Sequence, residues 1–510
     1  MDPVLLTPSL LLLSTSRKGQ QSNQRAQVMI GVGLKNSLLF ALSINLIDAF
    51  PRRSRGAIDS KNGAVDEDRK RIQGYAVREM ANALNVLDFG AVPDCTGVFV
   101  DNTAAFQAAL DAASGGGGGV VFSPPGCYAF DGELILTNGI TLSGSWKSVP
   151  SHDYKSGDSA TDGIGTTFLP RNNRGCAPSS DSGDNGDWCD DPFITLNANS
   201  KLSGVVIYYP EQLPTEVPAS YPYSVALVGN NAAVTDVELL NSWNGIWAVE
   251  AHRHYIARVQ GQPTNVGIFV DETYDIGRIE DVHWNPWYSM EEAYFSHQCI
   301  YGRGFVLGRS DWEYVFNTFA FGYAIGYHFI ATPTGSMNGN FLGIGADLAY
   351  NASVRIDASQ APGILITNGE FTAFTNDSPA CEGCTSSQVV IGEGNTGPVK
   401  FVDSSFWGPA SSVAVIKAGS TGTTTFIGCE FVQWDIQGGS SGRAAVYQGG
   451  SGTVTISNCG FQEAGNKTHL ELAEEATKAI FMGNSLANGN ERITDNTDGG
   501  ATVVGIGLNI

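Results

Sequence analysis

The sequence predicts an all-β chain folded as one long parallel β-solenoid, and three observations lead to that prediction. A short phrase recurs in the C-terminal half as ITNGEF (366–371), FVDSSF (401–406), FIGCEF (426–431) and ISNCGF (456–461), at offsets of 35, 25 and 30 residues. Each phrase joins an alternating apolar strand, a small or polar turn and a returning aromatic residue, which is typical of coils that bury a core only against their neighbours. No helical pattern separates the phrases, and the 62 glycines suit tight corners.

Composition narrows the classes of function. The chain of 510 residues is long enough for one solenoid plus an N-terminal segment. Its net charge is −22, and the sequence contains no basic stripe of the kind that a nucleic-acid binder needs. The acidity indicates either solubility or a low-pH extracellular setting, and it slightly favours a neutral substrate over a polyanion. No apolar stretch of about 18 residues follows the first fifty, so we expect no membrane span in the body.

Residues 1–80 differ from the rest and are predicted to be a signal segment, pro-segment or disordered leader, with the β-helix domain in residues 81–510. An apolar run at 37–47 follows Met29 and Lys35, which resembles the hydrophobic region of a signal peptide. A signal anchor is the alternative. The dibasic pairs at 52–53 and 70–71 are either pro-peptide cleavage points or part of a charged linker.

The nine cysteines favour an oxidising compartment. Cys176 and Cys189 flank a polar loop and are predicted to bridge it. The CEGC segment at 381–384 is interpreted as a short-loop disulfide, because no second pair completes a zinc site. Cys429 and Cys459 occupy the same place in successive phrases, so they are expected to stack, either as a disulfide or as two buried thiols.

Three N-glycosylation sequons support a secreted glycoprotein. They begin at Asn351, Asn376 and Asn466.

A helix is predicted at the entrance of the solenoid. Asp101 or Thr103 can cap its N-terminus, and Phe106, Leu110 and Ala113 lie on one face at i, i+4 and i+7. Such a helix would cap the stack and protect the first coil from edge-to-edge association.

The same region carries a resemblance to a known family. NVLDFGAVPDCTGVFVDNTAAFQAALDAA, the glycine run at 115–119, VVFSPPGCYAF and LILTNGITLSGSW resemble the entrance of the pectate-lyase-like superfamily, in particular its rhamnogalacturonase/epimerase-type members and β-1,3-glucanase-like relatives. The resemblance covers roughly residues 84–146. It implies a single-stranded right-handed parallel β-helix. It does not imply one reaction, because hydrolases, lyases, epimerases and tail-spike proteins share this entrance.

Four carboxylates are the candidate catalytic residues. Asp311 and Glu313 lie at i, i+2, so on a strand both would emerge on one face, with Trp312 pointing the other way. The alternative is that Asp311 pairs with Arg309 and Glu313 is solvated. One of Asp311 and Glu313 is the candidate general acid. Asp347 or Glu370 is the candidate base or nucleophile, although Glu370 also fits an exposed repeat position. Stacked coils lie ~4.8 Å apart, which brings carboxylates of neighbouring coils within glycosidase range.

Sugar-binding residues are expected in the aromatic-rich segment that precedes these carboxylates. Trp284, Trp287 and Tyr288 are candidate platforms for sugar rings, with packing under a long loop as the alternative. Asp271 and Arg309 complete the predicted substrate-binding set.

The preferred function is hydrolysis of an extracellular polysaccharide by a secreted enzyme that uses paired carboxylates and no cofactor or metal. One alternative is a lyase that performs β-elimination on a uronic-acid polymer. It would depend on calcium or on Arg/Lys side chains, with Asp271, Asp275 and Asp281 as possible calcium ligands and an arginine as base. The other is a non-catalytic glycan-binding or structural protein. The polygalacturonase signature is absent from the sequence, so its catalytic roles cannot be transferred. We expect no nucleic-acid partner and no membrane association after signal removal.

Overall fold

The computed structural model of the protein describes residues 83–145, 161–177, 189, 191–373, 386–436, 443–462, 466–487, 489–505 and 509. The leader predicted at residues 1–80 and the CEGC segment at 381–384 both lie outside these residues. The predicted parallel β-helix is confirmed: the strands form a 24-stranded and a 13-stranded sheet, and each strand pairs in parallel with its counterpart one coil along. Among the described residues, no helix is long and apolar enough to cross a membrane.

The 13-stranded sheet forms one wall of the helix. Its strands are Leu134–Leu136, Ile194–Leu196, Tyr223–Leu227, Asn244–Val249, Val266–Asp271, Arg303–Leu307, Ile325–Phe329, Ala352–Ile356, Ser387–Ile391, Ser412–Ile416, Val446–Gln448, Leu470–Leu472 and Ile493–Asp495.

The 24-stranded sheet wraps around the remaining sides. Its strands are Leu84–Asn85, Gly119–Ser123, Gly126–Phe130, Ile140–Gly144, Thr166–Pro170, Lys201–Ile207, Ala233–Leu239, Tyr255–Gly261, Arg278–Trp284, Glu313–Phe316, Phe319–Phe321, Gly339–Leu342, Gly345–Ala349, Ile364–Thr367, Glu370–Ala373, Val399–Val402, Ser405–Trp407, Thr424–Ile427, Glu430–Val432, Val454–Ser457, Gly460–Gln462, Lys478–Met482, Ser485–Leu486 and Thr502–Val504.

A sharp corner divides this larger sheet into two walls, and one residue per coil makes the corner by adopting a left-handed backbone with φ between 48° and 70°. Only glycine, asparagine and aspartate adopt that conformation at little cost, which explains the composition of the turn in the recurring phrase. Beginning two coils before the first phrase, the corner residues are Asn317, Gly343, Asn368, Asp403, Gly428, Asn458 and Gly483.

The recurring phrase fixes the register of the stack. Ile366 pairs with Phe401, which pairs with Phe426, and the returning aromatic Phe371 pairs with Phe406. These rings are fully buried, and Phe401 and Phe426 stack with centroids 5.2 Å apart. The core is therefore a continuous column of side chains, each supported by the coil on either side.

The predicted entrance helix is α1, Thr103–Gly115, and it follows a 3-10 turn at Val86–Phe89. Asp101 accepts a hydrogen bond from the backbone N–H of Thr103 at 3.0 Å, and Phe106 and Leu110 enter the core. A second helix, α2, spans Glu292–Tyr301 between two coils.

The cysteines bear out part of the expected pattern. Cys176 and Cys189 are bonded as predicted, and a second disulfide joins Cys95 to Cys127 at the entrance. Cys429 and Cys459 stack on neighbouring coils as buried free thiols, which decides between the two alternatives for that pair.

Candidate functional site

Asp347 and Glu370 lie together in a groove on the outer surface, beside the sharp corner. Their strands belong to neighbouring coils, and Gly345 pairs directly with Glu370, so Asp347 lies two residues along the adjacent strand. The corner residues Asn317 and Asn368 form one rim of the groove, whose volume is about 310 Å³. Coil stacking thus brings two of the four predicted catalytic carboxylates into one depression.

A local irregularity shapes the backbone at Asp347. The register between the two strands shifts between Ala346 and Ala349, and Leu348 has a positive φ of 55°. This is a β-bulge, a feature that re-aims side chains next to functional sites. It places Asp347 opposite Thr372, whose hydroxyl forms a hydrogen bond with the Asp347 carboxylate.

The environments of the two carboxylates differ. Burial is the largest influence on Asp347 and raises its pKa. A hydrogen bond from the Leu348 backbone lowers that pKa, the negative charge of Glu370 raises it, and the Thr372 hydroxyl lowers it by the least, so the net shift is upward. Glu370 is exposed at the start of its strand. A carboxylic acid with a raised pKa beside an ionised carboxylate is the arrangement that separates acid and base roles in glycoside hydrolysis.

Aromatic rings lie on both sides of the pair along the axis of the stack. Phe319 lines the groove on the N-terminal side, where His283 packs edge-on against it at 5.2 Å. On the C-terminal side, Trp407 pairs in register with Thr372 and is 51% exposed. The alternation that buries Phe406 places Trp407 outside, so the sequence did contain a signal for this second platform.

The prediction that Asp311 and Glu313 share one face is wrong. The strand begins only at Glu313, because Trp312 has a left-handed backbone with φ 61° that interrupts the alternation. Glu313 therefore points inward and is completely buried, whereas Trp312, which was expected to enter the core, is 58% exposed.

Each of these two carboxylates has other partners. Glu313 contacts His254 Nε2 at 3.0 Å and accepts a hydrogen bond from the Ser310 hydroxyl at 2.6 Å. Asp311 forms an ion pair with Arg309 at 3.0 Å, as the alternative reading had it, and accepts a hydrogen bond from Gln360. His254 was not singled out from the sequence, since nothing local indicates a contact with a residue 59 positions away.

The predicted sugar platforms Trp284, Trp287 and Tyr288 are buried. Trp284 lies in the main core beside Phe305, and Trp287 packs edge-on against His283. The Tyr288 hydroxyl donates to the carbonyl of Gln212 in a loop that covers it. A ring without an exposed face cannot stack on a sugar, so this part of the prediction is corrected in favour of the packing alternative.

Asp271 and Arg309 are near each other but play different parts. Asp271 is almost fully buried and accepts hydrogen bonds from the Arg309 backbone N–H at 2.6 Å and from the Thr332 hydroxyl at 3.0 Å. The Arg309 guanidinium reaches the surface, where it lies over the Tyr274 ring at 5.4 Å and lines a separate depression with Asp311.

The residues proposed for calcium in the lyase alternative do not fit a calcium site. Asp275 is paired with Arg253, Asp281 accepts a hydrogen bond from Asn317, and Asp271 is engaged by Arg309. Within the part of the chain that the structure describes, no group of three or more His, Cys, Asp or Glu residues is arranged to hold a metal ion.

Comparison with known proteins supports the fold. Residues 83–173 match the sequence model of the family described as rhamnogalacturonase A/epimerase, pectate lyase-like. No curated protein matches the sequence.

Several solved structures are similar in shape, at low sequence identity. A surface adhesin of Streptococcus pneumoniae is 14% identical, with a TM-score of 0.51 over 81% of this chain and 91% of the adhesin. The tailspike protein of an Escherichia coli bacteriophage, solved with a pentasaccharide, is 12% identical, with a TM-score of 0.50 over 82% of this chain and 79% of the tailspike. The A-module of a mannuronan C-5 epimerase from Azotobacter vinelandii is 13% identical, with a TM-score of 0.44 over 83% and 96%.

At these identities the structural likeness establishes the fold alone. Together with the match over the entrance coils, it agrees with the resemblance drawn from the sequence. The chain therefore folds as a parallel β-helix, and its entrance, residues 83–173, matches the family model described as rhamnogalacturonase A/epimerase, pectate lyase-like.

Proposed function

We propose that this protein is an extracellular carbohydrate-active enzyme that hydrolyses a polysaccharide, with Asp347 as the general acid and Glu370 as the base or nucleophile. The observation that carries the proposal is the shared groove, in which burial and the charge of Glu370 raise the pKa of Asp347. The acid role moves to Asp347 from Asp311 and Glu313, because those two are held in other networks.

The chemistry follows from the two environments. Protonated Asp347 donates its proton to the glycosidic oxygen as the bond to the anomeric carbon breaks. Ionised Glu370 either activates a water molecule or attacks the anomeric carbon itself, and the positive charge that develops on the sugar is stabilised by the carboxylate. Phe319 and Trp407 on either side suit sugar units before and after the scissile bond.

The proposed location and substrate rest on other features. Two disulfides are typical of an oxidising, extracellular compartment. Among the structurally similar proteins are a surface adhesin and a phage tailspike that was solved with a pentasaccharide, which supports an extended glycan as the ligand here.

The test uses the full chain from a secretory host and a panel of neutral and acidic polysaccharides. New reducing ends and near-ultraviolet absorbance are followed together, with and without a chelator. We expect reducing ends without absorbance, insensitive to the chelator. Asp347→Asn and Glu370→Gln should each lower kcat by about 10²–10⁴-fold, the usual contribution of an acid or base group.

Glu430 provides a matched control. It occupies the same outward strand position as Glu370, two coils further along, and is exposed. Glu430→Gln should therefore keep full activity. Full activity in both Asp347→Asn and Glu370→Gln would sink the proposal, absorbance would favour the lyase alternative, and glycan binding without product would favour the binding protein.

A further inference from the structure

Trp312 is an exposed aromatic residue on the outer surface of the stack with an unfavourable backbone conformation. Its φ of 61° lies in the left-handed region, which is a genuine outlier for a bulky residue, yet its ring is 58% exposed. The backbone around it is held firmly: the Trp312 N–H donates to Asn338 Oδ1 at 3.2 Å, and the next N–H, of Glu313, donates to the Asn338 carbonyl at 3.1 Å.

The fold explains the backbone conformation at this position but not the tryptophan. The left-handed residue turns Glu313 inward to meet His254. Glycine or asparagine would adopt that conformation more cheaply, as both do at the corners of the other coils. Strained residues persist mainly where a ligand site needs them, so the exposed indole itself requires an explanation.

The indole separates two depressions on the surface. The first, of about 380 Å³, is lined by Tyr274, Arg309, Asp311 and Gln360. The second, of about 210 Å³, is lined by Asn340, Pro362, Leu365 and Lys400, and Trp312 and Asn338 belong to both. Tyr274 is 48% exposed, so the first depression has an aromatic ring on each side.

The floor of the first depression is polar, rigid and electrically balanced. Arg309 is paired with Asp311 at 3.0 Å, and Arg253 with Asp275 at 2.5 Å. The Gln360 side-chain amide donates a hydrogen bond to Asp311 Oδ1 at 2.7 Å.

This amide network continues to Asn338, which donates to Gln360 Oε1 at 2.7 Å, so the polar groups are held in place before any ligand arrives. Lys400, at the far side of the second depression, adds a charge only at the rim.

We propose that this Trp312 surface is a second, non-catalytic site that binds a neutral oligosaccharide. Aromatic faces take up the apolar faces of sugar rings, and fixed amide and carboxylate groups bond to their hydroxyls. Among the described residues that line the first depression, the cationic side chain is Arg309, and its ion pair with Asp311 leaves no free cation there to attract a uronate. None of the described residues that line this site also lines the Asp347/Glu370 groove, and the two carboxylates of the first depression, Asp275 and Asp311, are ion-paired with Arg253 and Arg309.

The experiment measures binding without turnover, by calorimetry on the full chain carrying Asp347→Asn. The probes are cellohexaose and laminarihexaose, with trigalacturonate as the charged comparison. Adding Trp312→Gly should weaken binding of a neutral hexaose at least tenfold, and Trp312→Phe should retain part of it. Because glycine relieves the strain, the Tm of Trp312→Gly should be equal to or higher than that of its parent.

The control variant is Tyr301→Ala, which removes a similarly exposed aromatic ring on α2, outside both sites. It should leave binding unchanged. The proposal would be overturned if Trp312→Gly bound with unchanged affinity, if Tyr301→Ala lost as much affinity, or if a lowered Tm of Trp312→Gly accounted for the lost binding. It would also be overturned if neither hexaose bound, or if the protein preferred trigalacturonate. Turnover of short soluble substrates by the otherwise unaltered chain tests the hydrolase by itself, and Tyr301→Ala should leave that turnover unchanged. Failure of the Trp312 site and failure of the proposed hydrolase are therefore distinguishable.

Discussion

The buried contact between Glu313 and His254 predicts that Glu313 maintains the fold rather than performing catalysis. Both side chains are fully buried, and both ring nitrogens of His254 face oxygen acceptors: Nε2 the Glu313 carboxylate at 3.0 Å and Nδ1 the Ala251 carbonyl at 3.0 Å. A ring that donates on both sides carries a positive charge. Glu313→Ala therefore leaves a buried imidazolium without its counter-ion.

The expected loss is large. Removing one partner of a buried ion pair costs about 3–5 kcal/mol in the free energy of unfolding, because the remaining charge stays desolvated. The Ser310 hydroxyl loses its acceptor as well. Glu313→Gln keeps the shape and a hydrogen bond to Ser310, so it should cost less than Glu313→Ala. Gly277→Ala tests the same network without removing either partner, because the added methyl group would collide with both His254 and Glu313.

The pH dependence identifies the source of the loss. Burial, the largest influence, lowers the pKa of His254. The charge of Glu313, its hydrogen bond and the hydrogen bond to the Ala251 carbonyl together outweigh burial and raise that pKa above the usual value. A raised pKa in the folded state contributes stability that is fully present below the unfolded value of about 6.5 and disappears as the pH rises through the folded value. The gap between the parent and Glu313→Ala should therefore be widest below about pH 6.5 and narrow above it.

The assay is chemical denaturation followed by fluorescence at several pH values, with activity measured per folded molecule. Glu313→Ala should unfold at lower denaturant concentration while the folded fraction keeps its turnover. A loss below about 1 kcal/mol, within the range of ordinary substitutions, would refute the structural reasoning. Lost turnover in a variant of full stability would restore Glu313 as a catalytic candidate.

Three further predictions concern the groove, the exposed tryptophan beside it and the core of the stack. Activity should fall as the pH rises through the raised pKa of Asp347, and Thr372→Val, which removes a hydrogen bond that lowers this pKa, should move that limb of the pH–rate profile to higher pH. Trp407→Ala should raise KM about tenfold, or about 1.4 kcal/mol, with little change in kcat, as initial rates on a long substrate would show. Phe401→Ala should cost about 3–5 kcal/mol of stability in a denaturant titration, while the exposed neighbour Lys400→Ala costs almost nothing.

The fold could be predicted because the repeat shows which residues of neighbouring coils are equivalent. A phrase that places Ile366, Phe401 and Phe426 at equivalent positions states which residues pair, since each coil buries its apolar residues only against the next. The corner residues provide a second sequence signal, because a left-handed backbone restricts which residues can occupy the corner. Both signals are local, so they survive the variable loops between them.

The site was harder to predict, because two local assumptions failed. The argument for Asp311 and Glu313 assumed an unbroken extended strand, and the left-handed Trp312 changed the side on which the following residue lies. The argument for Trp287 and Tyr288 assumed that they face solvent, but a distant loop covers them: Tyr288 donates to Gln212, and Ser289 donates to the carbonyl of Pro214 at 2.6 Å. Neither contact leaves a signal near these residues in the sequence.

The proximity of Asp347 to Glu370 could be predicted in part, because it follows from the register of the coils. The corner advances by 25 residues from Gly343 to Asn368, and Gly345 pairs with Glu370 at the same offset. Extending the recurring phrase one coil towards the N-terminus would therefore have placed Asp347 beside Glu370 and Thr372. What the register cannot supply is the bulge between Ala346 and Ala349, since one additional residue in a coil looks like ordinary variation in the sequence. That bulge sets the direction of the Asp347 carboxyl group, and the proposed acid role depends on it.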